Sequence, residues 1–101
     1  MNLETKWLED FVALANTRSF SASARQRHVT QPAFSRRIRA LEQAVGVTLV
    51  DRSTTPIGLT SEGQLFLVTA RNLVEQLNES LSHLRGLSIA NEAWDIVGAR
   101  Q

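Results

Sequence analysis

The sequence of 101 residues contains no cysteine, only two histidines and no long apolar run. Without cysteine the chain has no disulfide, no thiol nucleophile and no thiolate ligand for zinc. His28 and His83 are 55 residues apart without a cluster of further ligands, so no metal site is expected. The apolar runs are short and interrupted by charge, so neither a transmembrane helix nor a signal peptide is expected.

The chain also lacks the short motifs that bind cofactors or carry out catalysis. It contains no glycine-rich phosphate-binding loop. The segment 58–63 has the wrong spacing for a G-x-S-x-G nucleophile elbow, and no histidine partner is expected in a strand-turn-helix setting. We therefore predict that the protein is not an enzyme and has no cofactor.

The net charge of +1 is low for a nucleic-acid-binding protein, but the charge is unevenly distributed along the chain. Residues 1–16 and residues 53–101 each carry −2, whereas residues 17–52 carry +5. Ten of the eleven cationic residues are arginine, whose planar guanidinium can bind phosphates and guanine edges. The alternative is a solvated surface with a chance excess of positive charge.

Hydrophobic periodicity and capping residues predict two helices in the first part of the chain. An amphipathic helix over about 4–16 is expected, because apolar residues recur at one face. These residues are Leu8, Phe11, Val12 and Ala15. Ser21 is the expected N-cap of a short second helix over about 22–28.

A third helix is expected between Thr30, its N-cap, and Gly46, which follows its last residue. Its apolar face consists of Phe34, Ile38, Leu41 and Val45. At 100° per residue, the opposite face carries Pro32, Arg36, Arg39 and Gln43, with Gln31 and Ser35 on one shoulder. A purely structural helix more often carries Glu/Lys pairs on its outer face.

The remaining sequence predicts a β-hairpin and one long helix. The strands are expected at 47–50 and 57–59, and Thr60 is the expected N-cap of a helix over about 61–86 that ends at Gly86. Apolar residues follow a heptad spacing along this helix: Leu67, Ala70, Val74, Leu77, Leu81 and Leu84. An uncovered seam of this kind implies a second copy of the chain. The alternative is a helix that folds back on its own domain.

This order of elements is typical of a mainly α, winged helix-turn-helix domain of three helices and a two-stranded hairpin, followed by a long dimerisation helix. The domain is expected over residues 1–60, with its helix-turn-helix at about 21–45. Residues 61–86 form the linker helix. Residues 87–101 are then a tail or the start of a further domain.

Several segments closely resemble the N-terminal domain of LysR-type transcriptional regulators over about residues 3–86. They are Ser19 to Ser21, Val29 to Ile38, Leu41-Glu42, Gly46-Val47, Leu49, Arg52 and Leu59 to Gly63. Residues 4–9 and the run 31–42 are similar to the hypochlorite-responsive branch of the family.

Three residues depart from the family pattern. Arg27 replaces a usual buried leucine, Ser23 replaces an alanine, and Thr55 stands where several members insert an arginine into the minor groove.

The resemblance implies roles for individual residues. Base edges in the major groove would be contacted by Gln31, Pro32, Ser35 and Arg36. DNA phosphates would be contacted by Ser21, Thr30, Arg37 and Arg52. Arg39, on the outer face of the third helix, is also expected to contact a phosphate rather than a base. The dimer interface would contain Trp7, Phe11, Val74, Leu77, Leu81 and Leu84, with the long helices antiparallel. Arg27 would extend its guanidinium to a phosphate or pair with an acidic neighbour.

The resulting hypothesis is a cytoplasmic, nucleoid-associated bacterial regulator. It would bind double-stranded DNA of dyad symmetry as a homodimer, within a tetramer in the full-length protein. A small-molecule or oxidant effector would act only through a C-terminal domain outside this chain. The alternative function is a dimerising protein-interaction adapter that binds no nucleic acid.

Overall fold

The computed structural model describes the backbone of residues 3–99 and the side chains of residues 3–87. Its elements are α1 (Thr5–Thr17), α2 (Phe20–Gln26), α3 (Gln31–Val45), β1 (Val50–Asp51), β2 (Gly58–Leu59) and α4 (Ser61–Ala99). The two strands pair antiparallel, with Val50 opposite Leu59. The predicted mainly α fold with three helices, a hairpin wing and a long helix is confirmed.

The core lies among α1, α2 and α3 and is closed by the first part of α4. Its fully buried members include Phe11, Leu14, Phe34, Ile38, Leu41, Leu49 and Ala70. The rings of Phe11 and Phe66 lie 5.8 Å apart between centroids, which fixes α4 against α1. The inner face of α3 is therefore held in the core, and its opposite face is turned to solvent.

The second helix begins earlier than the sequence suggested, and Ser21 as its N-cap was wrong. The N-cap is Ser19, whose extended backbone lets its Oγ accept a hydrogen bond from the Ala22 amide at 3.1 Å. Phe20 is the first helical residue, and its ring packs edge-on against Phe34 at 6.0 Å. The helix also ends at Gln26, two residues before the expected end.

Ser19→Ala is expected to destabilise the fold by about 1 kcal/mol, the usual cost of losing an N-cap side chain. Ser21→Ala is the matched control, because Ser21 is exposed and caps no backbone amide in α2. Chemical denaturation followed by circular dichroism measures both. Equal stability of the two variants would contradict the assignment of the cap to Ser19.

The third helix has the predicted bounds and caps. The Thr30 Oγ1 accepts a hydrogen bond from the Ala33 amide at 3.3 Å, and Pro32 lies in the first turn. Gly46 ends the helix with φ 83°, a left-handed conformation that glycine adopts without a Cβ penalty.

The first strand is shorter than predicted, because residues 47–49 lie outside the ladder. The Glu42 carboxylate accepts hydrogen bonds from the Leu49 and Val50 amides at 2.8 Å and 3.2 Å. The Leu49 carbonyl accepts one from the Thr60 amide at 3.0 Å. This segment is therefore bound to α3 and to the start of α4, and Val47 is left exposed.

The fourth helix starts as predicted but does not end at Gly86. Thr60 is its N-cap, since the Thr60 Oγ1 accepts a hydrogen bond from the Gly63 amide at 2.9 Å. The helix continues to Ala99, because Gly86 keeps a negative φ within it. Glycine disfavours a helix by about 1 kcal/mol but does not stop it without a change of backbone direction. The tail expected at 87–101 is thus helical up to residue 99, and residues 100 and 101 lie outside the described range.

Candidate nucleic-acid interface

The outward face of α3 carries the residues that were predicted for it from the sequence. Exposed side chains along this face are Gln31, Pro32, Arg36, Arg39 and Gln43, while Ser35 is half-buried at its edge. Phe34, Ile38 and Leu41 on the opposite face have no exposed surface. The helix is therefore anchored by its apolar side and can offer guanidinium and amide groups to a groove of matching width.

The turn before α3 is tight and contains no glycine. His28 adopts φ 59°, a left-handed conformation that is uncommon for a residue with a side chain. The Val29 amide donates to the Ala24 carbonyl at 3.0 Å, so the turn is fixed to α2. This geometry sets the direction in which α3 leaves α2.

The predicted phosphate-binding residues Ser21 and Thr30 are both exposed, near the N-terminal ends of α2 and α3. The Thr30 Oγ1 accepts the capping hydrogen bond with one of its two lone pairs, so its hydroxyl hydrogen can still be donated to an anion. The Ser21 Oγ lies 3.2 Å from the Ser19 Oγ.

Arg52, at the start of the wing, is held by α3 and α2. Its two terminal nitrogens both donate to the Glu42 Oε1 at 3.3 Å. Its guanidinium carbon lies 5.4 Å from the centre of the Phe20 ring, within cation–π range. Arg18 holds the other side of the wing, because its Nε donates to the Ile57 carbonyl at 3.1 Å.

Arg27 and Arg37 converge on one buried carboxylate. Asp10 has no exposed surface, and its Oδ1 accepts from the Arg27 Nε at 2.8 Å. Arg37 binds the same group with two nitrogens, Nε at 2.6 Å and Nη2 at 2.9 Å. Arg27 also donates to Glu9 at 3.2 Å. Of the two expectations for Arg27, pairing with an acidic neighbour is confirmed.

These acidic partners stabilise the charged form of Arg27. Burial by itself would lower the pKa of Arg27, but hydrogen bonding and charge attraction from Asp10, and then from Glu9, raise it above its usual value. The ion pairs thus offset the cost of burying a guanidinium, which carries its charge in proteins in any setting.

The residues expected at a dimer interface occupy two different environments. Phe11 is fully buried in its own chain and offers no surface to a partner, so its place is the core. Trp7 and Val74 are partly buried and pack on that same core. Leu81 is half-buried, whereas Leu77 and Leu84 are 40% and 56% exposed.

The sequence reasoning missed three residues that organise this surface: Asp10, Arg18 and Glu42. Asp10 lies three residues after Trp7 and four before Leu14, which both pack in or on the core, so helical spacing places it on the inner face of α1. That spacing was the available signal. Arg18 and Glu42 act through partners on the wing, and no local pattern in the sequence indicates those partners.

The described residues contain neither a metal-binding cluster nor a membrane-spanning helix. No group of three or more acidic or histidine side chains that could hold a metal ion occurs there. Over the same part of the chain, each helix is too short or too polar to cross a membrane.

Comparison with known proteins relates the chain to transcriptional regulators. The family described as bacterial regulatory helix-turn-helix protein, lysR family, matches residues 5–64. The HTH-type transcriptional regulator YjiE of Escherichia coli (strain K12) is 54% identical over 85 residues, covering 84% of this chain and 28% of YjiE.

Two solved structures are similar in both fold and sequence. Vibrio fischeri DarR in complex with DNA has a TM-score of 0.84 and 57% identity, covering 87% of this chain and 30% of DarR. HypT from Salmonella typhimurium, a hypochlorite-specific LysR-type regulator, has a TM-score of 0.77 and 52% identity, covering 83% of this chain and 29% of HypT. The chain spans less than a third of the length of these relatives.

Proposed function

Because the chain belongs to the LysR family of bacterial regulatory helix-turn-helix proteins, we propose that it binds double-stranded DNA in a sequence-specific manner. The observation that carries this proposal is the outward face of α3, where Gln31, Arg36 and Arg39 are exposed on a helix whose other face is fully buried. An α-helix of this kind fits the major groove, and arginine and glutamine are the side chains that read guanine and adenine edges there.

Within this interface, Arg36 is the proposed reader of a guanine and Arg39 a proposed phosphate ligand. Among the side chains that the structure describes, neither guanidinium has a carboxylate within ion-pairing distance. Gln31, Pro32 and Ser35 are the further proposed base contacts, and Ser21, Thr30 and Arg52 the further phosphate contacts. The half-burial of Ser35 favours a short contact at the edge of the groove.

Arg36→Ala is expected to reduce discrimination between a selected site and random DNA by the value of one bidentate base contact, about 1–3 kcal/mol. The selected site comes from enrichment of bound sequences out of a random duplex pool, and affinities come from fluorescence anisotropy. Arg39→Ala is the matched control, since loss of a phosphate contact weakens both duplexes alike. Equal weakening of both duplexes by Arg36→Ala would contradict base reading.

The same titrations separate DNA binding from the alternative of a protein-interaction adapter. DNA binding through arginines must weaken steeply as salt is raised, because each phosphate contact releases a condensed cation. An adapter would give no salt-dependent shift with any duplex, mixed genomic DNA included.

We also propose an assembly and a cellular setting on the pattern of the longer relatives. Residues 1–60 form the DNA-binding unit and α4 the linker through which two copies join on a site of dyad symmetry, within a tetramer. The similarity to HypT supports placing the parent protein in the hypochlorite-responsive branch. It would act in the cytoplasm as a regulator without enzymatic activity, with any effector bound by a domain outside this chain.

A further inference from the structure

Asp10 joins three elements of the helix-turn-helix through one carboxylate. It lies on α1, Arg27 is the C-cap residue that follows α2, and Arg37 lies in the middle of α3. Three hydrogen bonds of 2.6–2.9 Å use both carboxylate oxygens. Arg37 binds in the two-pronged geometry that fixes a guanidinium in orientation as well as in distance.

Stability alone does not account for this cluster. Replacing a buried ion pair by apolar side chains of similar size is often neutral or stabilising, because both charges lose their hydration on burial. What an ion pair adds is a defined geometry. Arg37 follows Arg36 directly, about 100° further around α3, so holding Arg37 inward fixes the rotation that turns Arg36 outward.

The cluster also removes positive charge from the surface available to DNA. The side chains of Arg27 and Arg37 are only 26% and 22% exposed, and both donate to Asp10. Non-specific affinity for DNA rises with the number of phosphates that a protein neutralises. The two guanidiniums that bind Asp10 therefore do not bind DNA phosphates, whatever the sequence of the DNA.

We propose that Asp10 is a specificity-determining positioning residue, which orients α3 through Arg37 and keeps Arg27 and Arg37 from binding phosphates. This inference rests on the proposed DNA-binding function. It also changes the expectation for Arg37, which acts on DNA through the orientation of α3 and not as a phosphate ligand.

The test is Asp10→Asn, which keeps the shape of the side chain and removes its charge. Affinity for the selected site is expected to fall while affinity for random duplex stays equal or rises. Discrimination then falls about tenfold, which is roughly the loss of one base contact. The salt dependence for random duplex is expected to steepen by a slope of about 0.9 for each arginine released to a phosphate. Anisotropy titrations at several salt concentrations give both quantities.

Glu9→Gln is the matched control, because it changes the net charge equally at the neighbouring residue but touches only Arg27, at 3.2 Å. It is expected to leave discrimination close to that of the unmodified chain. Combining Asp10→Asn with Arg27→Gln and Arg37→Gln should return the salt slope for random duplex to its original value, since no released arginine remains.

Folding is checked by thermal circular dichroism, with titrations made where each variant is folded. Should Asp10→Asn not fold, Arg37→Lys keeps the charge but loses the two-pronged geometry, and it is expected to lower discrimination on its own. The proposal is overturned if Asp10→Asn, or Arg37→Lys in its place, weakens both duplexes equally with an unchanged salt slope. A chain that binds no duplex before any substitution would overturn the proposed function instead.

Discussion

Replacing Gly63 with alanine is expected to destabilise the chain more than the same change at Gly46, Gly58 or Gly86. A Cβ at this position would lie 2.0 Å from the Leu49 carbonyl oxygen and 2.9 Å from its carbon. Both atoms belong to the backbone, so no side chain can rotate away to relieve the clash. The start of α4 would have to move away from the segment that leads into β1.

That movement would break further contacts, because Leu49 is tied to the same turn of α4. Its carbonyl oxygen accepts the Thr60 amide at 3.0 Å, and the Thr60 hydroxyl donates to the Thr48 carbonyl at 2.7 Å. Overpacking of a core costs about 1–3 kcal/mol, and more where the backbone must shift. Since a small domain is stable by only about 5–15 kcal/mol, Gly63→Ala should lower Tm by many degrees.

The matched control is Gly86→Ala in the same helix. A Cβ there meets no heavy atom within 4 Å, and alanine is favoured over glycine inside a helix by about 1 kcal/mol. Gly86→Ala should therefore leave the chain equally stable or more stable. Thermal and urea denaturation measure both variants, and similar transitions for the two would contradict the close approach at Gly63.

The third helix was predictable because independent local signals agreed on it. The spacing of Phe34, Ile38 and Leu41, the N-cap at Thr30 and the glycine at 46 all give the same bounds and the same outward face. The start of the second helix was harder to predict, because Ser19 and Ser21 are both of a residue type that can form the N-cap of a helix. The packing of Phe20 on Phe34 accompanies the earlier start, and that contact is tertiary.

The parts of the site that escaped prediction depend on how the helices pack. Asp10 meets partners 17 and 27 residues away in sequence, and no periodicity specifies such a pair.

The residues of the predicted heptad seam on α4 lie in two different environments in the structure. The first residues of the seam, Leu67, Ala70 and Val74, pack on the core of the same chain. Seam residues that do not pack on this core, such as Leu77 and Leu84, are available to a partner.

Four exposed leucines in the later part of α4 form a stripe that a second copy would cover. Its members are Leu73, Leu77, Leu84 and Leu87, each between 40% and 56% exposed. At 100° per residue they fall within a sector of about 80° on one side of the helix. Leu73 is 43% exposed and is not among the residues that pack on the core. The stripe shares Leu77 and Leu84 with the predicted seam, adds Leu73 and Leu87, and leaves out Leu81, which is half-buried.

Leu77→Asp combined with Leu84→Asp is expected to convert the proposed dimer into a monomer, because two carboxylates from each copy would enter an apolar contact. A monomer holds one half-site at a time and loses the gain from linked binding, which amounts to about 10²–10⁴-fold. Affinity for a dyad-symmetric site should fall by at least about 100-fold. Sedimentation gives the assembly state, and anisotropy with one and two half-sites gives the affinities.

Asn78→Asp combined with Ser82→Asp is the control, since both residues are exposed on the same helix and lie at least about 100° from Leu77. This variant receives the same added charge and should remain a dimer with nearly unchanged affinity. The leucine variant should still fold, because neither replaced residue belongs to the core cluster. If it sediments as a dimer, the two copies meet on another surface. If it is monomeric but binds the two-half-site duplex as tightly as before, binding does not depend on the pairing of copies through α4.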